Sequence, residues 1–68
     1  MLPSVNLISN RRRMVYHVYI AQTPEQIRAV RGSVDAWLRR HPKDTIVQRA
    51  ARQLKISEDR LREAGKWY

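Results

Sequence analysis

Cysteine is absent from this chain of 68 residues. That excludes a disulfide scaffold, a thiolate zinc site and a cysteine nucleophile. Glycine occurs only at Gly32 and Gly65, so no glycine-rich loop is present to cradle a phosphate. The only histidines, His17 and His41, are far apart in sequence, and His41 precedes Pro42 where a helix is expected to end. Six carboxylates are scattered, mostly in expected first turns or on outer helix faces. This inventory points away from an enzyme, a metal site and a cofactor. No apolar run approaches the roughly 18 residues of a membrane span, and no signal-peptide pattern is seen. The expectation is a soluble cytoplasmic protein with no membrane partner.

What the chain has in excess is positive charge. Lys and Arg total 14 against six Asp and Glu, a net charge of +8 and an isoelectric point near 11.2. Lys43, Lys55 and Lys66 are the only lysines; the rest are arginines, which suit bidentate contacts to phosphate, base edges or carboxylates. A polyanionic partner is implied, most simply double-stranded DNA. A nucleoid-associated location would follow. With 43% hydrophobic residues the chain is too apolar for full disorder. A domain of this size has a thin core, so a homodimer or another partner is expected to complete it.

The pattern along the chain predicts a mainly α fold with a minor β element. An N-terminal strand precedes three helices, the last two forming a helix-turn-helix-like pair. Residues 1–13 read as a flexible or docking arm, and 14–68 as one small domain. Val5, Leu7 and Ile8 suit a short strand or docking tail. Arg11, Arg12 and Arg13 suit an arm reaching phosphates or a minor groove. Residues 14–21 are rich in β-branched and aromatic side chains and predict a strand. Alternation would put Met14, Tyr16, Val18 and Ile20 on one face and Val15, His17 and Tyr19 on the other. The two tyrosines would then form no single stacking platform for bases.

Thr23-Pro24-Glu25-Gln26 predicts a helix start, with Thr23 capping, Pro24 at the first position and Gln26 closing a capping box. Ile27, Val30, Val34, Trp37 and Leu38 follow at helical spacing. His41-Pro42 ends that helix. Asp44 or Thr45 caps the next, whose inner side is Ile46, Val47, Ala50, Ala51 and Leu54. A break is expected at Lys55-Ile56. Ser57 would then cap a last helix with Glu58 and Asp59 in its first turn. Leu61, Ala64 and Trp67 would be its inner face, and Gly65 its end.

Residues 47–66 resemble the helix-turn-helix of DNA-binding proteins. Ala50 and Ala51 supply small residues at a helix crossing, Leu54 follows one turn later, Ile56 plugs the turn, and Leu61 and Ala64 face inward. The resemblance implies that the second helix lies in a major groove. It makes Ser57, Arg60, Arg62 and Lys66 the contact residues, with Arg49 and Arg52 on the backbone. It also implies a transcriptional regulator or accessory factor. Three other readings stand beside it. One is a plain helical hairpin. A second is a ribbon-helix-helix dimer in which His17 and Tyr19 read bases. The third is a protein-binding module, an inhibitor or adaptor for an acidic protein surface, which Glu58, Asp59 and Glu63 favour. An RNA- or ribosome-associated factor is a further option that charge allows.

Overall fold

A computed structural model describes residues 10–68, and its described residues form three helices. They are α1 (Arg11–Ile20), α2 (Pro24–Arg40) and α3 (Thr45–Glu63). Each packs on both others, which encloses one shared core. The mainly α expectation holds. The segment Val5 to Ile8 lies outside the described residues.

The strand expected over 14–21 is instead helix α1. Asn10 caps it, its side chain accepting from the Arg13 N–H at 3.0 Å. The β-branched and aromatic composition favours a strand only where a partner strand and a pleated surface exist. No strand is present among the described residues. A helix, by contrast, closes its own backbone bonds and sets Met14 and Val18 one turn apart. Both are wholly buried against α2 and α3. The face that alternation would have made uniform is therefore split. Met14 and Val18 turn inward, while Tyr16 and Ile20 stay exposed. Arg11, Arg12 and Arg13 are the first turn of this helix.

Helix α2 begins and ends as its local chemistry dictates. The Thr23 hydroxyl accepts from the Gln26 N–H at 3.1 Å, and the Gln26 side chain accepts from the Thr23 N–H at 3.3 Å. Pro24 occupies the first turn, and His41, before Pro42, closes the helix. Ile27, Val30 and Val34 form its buried stripe, and Trp37 and Leu38 are half-buried beside it.

Helix α3 corrects the second half of the reading. No break occurs at Lys55-Ile56, and Ser57 caps nothing, because the helix runs unbroken through both. The two short helices and tight turn required by a helix-turn-helix over 47–66 are therefore not present. The physical reason is the inner stripe: Val47, Ala50, Leu54 and Glu58 stay on one face for three turns without a change of phase. Ile56, expected to plug a turn, lies opposite that stripe and is 45% exposed. Ile46 and Ala64 are exposed as well. Burying a side chain such as Leu54 is worth roughly 1.5–3 kcal/mol, so the unbroken stripe outweighs a weak turn signal.

At its end α3 closes in a Schellman motif. The Lys66 N–H donates to the Leu61 carbonyl at 2.8 Å and the Gly65 N–H to Arg62 at 3.0 Å. Gly65 has φ of +71°, the left-handed conformation this closure requires. The turn returns Trp67 to the edge of the core.

Three-residue and four-residue links make α2 antiparallel to α1 and to α3. The ends agree with this. Arg11 meets Asp44 at one end, and Ala21 lines one hollow with Ser57 and Leu61 at the other, so α1 and α3 run parallel. The first turns of α1 and α3 thus share one end of the bundle with the last turn of α2.

Candidate nucleic-acid interface

Asp44 organises that end. It caps α3, its Oδ1 accepting from the Val47 N–H at 3.3 Å. The Arg11 guanidinium grips the same carboxylate with both prongs, Nε to Oδ2 at 2.8 Å and Nη2 to Oδ1 at 2.9 Å. The Trp37 indole N–H donates to Oδ2 at 3.0 Å. One side chain thereby ties the three helices together. The Arg11 hydrogen bonds, aided by Trp37 and the Val47 N–H, hold the Asp44 carboxyl far below the usual carboxylate range against its desolvation. The same contact raises the Arg11 pKa. The Trp37 ring lies 4.5 Å from the His41 imidazole, between centroids, at the close of α2.

Around this tie cations predominate. Arg12 and Arg13 are exposed on the first turn of α1, Arg39 and Arg40 on the last turn of α2, Lys43 in the link and Arg49 on α3. None of these six has an ion pair among the described residues. Asp35, one turn before Arg39, is exposed and pairs with none of them. The first 24 residues of the sequence contain no carboxylate at all.

The opposite end is built differently. Glu58 is buried on α3, 9% exposed, and both its oxygens are used. Oε1 accepts from Arg31 on α2 and Oε2 from the Arg62 Nε at 2.8 Å. Arg31 first, then Arg62, pulls the Glu58 pKa down against the opposing effect of burial. Arg28 and Arg62 also lie over the Trp67 ring, at 4.7 and 5.3 Å from its centroid. Arg28 donates to the Tyr68 carbonyl. Lys55 and Asp59 pair one turn apart at 3.5 Å. Among the described residues no buried side-chain polar atom lacks a partner.

The expected contact residues therefore separate. Arg11 and Arg62 are structural ties. Arg12, Arg13 and Arg49 belong to the open basic end, and Arg52 sits a turn further along the outer face of α3. Ser57 and Arg60 line a hollow of about 190 Å³ with Ala21, Gln22, Ile27 and Leu61. Lys66 is exposed just beyond α3. The six do not form one surface with Ser57, Arg60 and Lys66. Sequence reading did not single out Arg39, Arg40 and Lys43, which share this open end. Their signal was a basic cluster flanking His41-Pro42, with no way to see that α1 returns beside it.

Among the described residues there is no group of acidic or histidine side chains arranged to hold a metal ion. No helix there is long and apolar enough to cross a membrane. Family models, curated proteins and solved structures yield no match to this chain.

Proposed function

We propose that this protein binds double-stranded DNA through its phosphates, with Arg12, Arg13, Arg39, Arg40, Lys43 and Arg49 as the contact surface. The observation that carries the reading is the sorting of charge. Seven cations and two carboxylates, Asp35 and Asp44, occupy the end defined by the α2–α3 link, and Asp44 is already neutralised by Arg11. A second observation supports it. Arginines in the first turn of α1 face the positive end of a helix dipole, an arrangement that costs about 0.3–1 kcal/mol for each charge. Local rules broken without local compensation mark functional surfaces. The route to transcription regulation through a helix at 57–66 is lost with the turn, so the proposal is phosphate-directed binding.

The test is fluorescence anisotropy of a labelled duplex titrated across a salt series. Contacts to four to six phosphates give a slope of log affinity against log salt of about −4 to −5. Absence of binding at low salt overturns the reading, and an acidic protein surface becomes the partner class to examine.

A further inference from the structure

The helical state of α1 creates a surface that a strand would not have. Tyr16 and Tyr19 are three residues apart, so a helix sets them side by side on one face, with Arg12 one turn before Tyr16 and Ile20 one turn after it. Both rings point away from the core and are 61% and 56% exposed. His17, half-buried, meets the Tyr16 ring edge-on, with centroids 6.0 Å apart, and braces it. Arg12 and Arg13 are exposed at the start of the same helix. No carboxylate occurs on α1 or before it. The face therefore joins two exposed aromatic rings to two cations that make no ion pair among the described residues, on a helix that carries no carboxylate.

We propose that this face of α1 stacks unpaired nucleobases on Tyr16 and Tyr19 while Arg12 and Arg13 hold the adjoining phosphates, so that single-stranded DNA is a ligand of the protein. The inference rests on the phosphate-binding reading above and adds the base. Charge complementarity selects the occupant. An aromatic face flanked by arginines matches a strand that carries π-faces and phosphates in alternation, and stacking accepts any base. A duplex offers the phosphates but keeps its base faces covered.

Three labelled probes separate the parts: a short oligothymidylate, an abasic oligomer with the same number of phosphates, and a blunt duplex. The native protein should bind oligothymidylate about tenfold or more tighter than the abasic oligomer. The double variant Tyr16→Ala/Tyr19→Ala should bring that ratio close to one while leaving abasic and duplex affinity unchanged. Equal affinity of the native protein for oligothymidylate and the abasic oligomer, with duplex still bound, overturns the stacking role alone. A double variant that keeps the native ratio, or that loses all three probes equally while its helical circular dichroism is intact, overturns it too. Failure of all three probes to bind the native protein removes the phosphate reading with it. The comparison between probes needs no variant, so a poorly folded mutant leaves the test in place.

Discussion

The two ends of this bundle use the same residue type for opposite ends. At the Trp67 end, Arg28, Arg31 and Arg62 are drawn onto Glu58 and the indole ring, and charge becomes part of the packing. At the Asp44 end one arginine, Arg11, is used that way, and the others are left open to solvent. Counted from Glu25 to Arg31 and from Lys55 onward, six cations meet four carboxylates. Around the α2–α3 link, from Asp35 to Arg49 and in the first turn of α1, seven meet two, Asp35 and Asp44. An arginine is thus no evidence of a binding site by itself. What matters is whether the fold has already given it a carboxylate or a ring.

That contrast can be broken in several ways. The largest effect is expected where the two ends share a floor. Leu54 is 1% exposed between them, and Leu54→Ala should destabilise the protein by about 2–5 kcal/mol in thermal or denaturant unfolding. An unchanged melting temperature would show that the ends are not held by one core. Asp44→Ala should come next. It removes a cap, a bidentate ion pair and an indole hydrogen bond together, and should lower the melting temperature more than loss of any single exposed arginine. Acid should act through the same groups. Asp44 and Glu58 have lowered pKa values in the fold, so the unfolded chain takes up protons first as pH falls. Their contribution is complete near neutral pH and is lost progressively from roughly pH 5 downward. Melting in Asp44→Asn should show a shallower acid limb; an identical pH profile would remove Asp44 from that role.

Charge reversal then separates the ends by function. Arg12→Glu/Arg13→Glu should weaken duplex binding by about tenfold or more and reduce the salt slope by about two. Arg60→Glu/Lys66→Glu, at the other end, should change affinity much less. Equal losses would mean that overall charge and not its placement governs binding. The smallest effect is expected at Lys55. Its pair with Asp59 is exposed on both sides, so Lys55→Ala should shift stability by no more than about 0.5 kcal/mol.

Helix α2 was legible almost to the residue because its signals are local. Thr23, Pro24 and Gln26 act across three positions, and Pro42 acts on the residue before it. The cap of α3, narrowed to Asp44 or Thr45, and the Gly65 close were legible for the same reason. Residues 14–21 misled because β-branched side chains state a preference that a packing partner must ratify. The Asn10 cap was the signal available, and the spacing of Met14 and Val18 was the second. At Lys55-Ile56 the polar and apolar residues of an outer helix face resembled a turn, while Glu58 looked like a surface acid and is in fact inside the fold. For the candidate interface, Arg12, Arg13 and Arg49 were visible as candidates, and Arg39, Arg40 and Lys43 were not.

The sequence by itself determined which residue types are missing, how large the positive charge is, where α2 starts and stops, and which apolar residues of α2 face inward. Each of these depends on composition or on residues within one helical turn of each other. Only the tertiary structure decided that 14–20 is helical, that α3 runs unbroken, and which arginines are occupied. The ties responsible join Arg11 to Asp44 and Arg31 to Glu58, residues 33 and 27 positions apart. Ion pairs at that separation follow from how the helices cross, and the same crossing places Arg12 and Arg13 beside the basic close of α2.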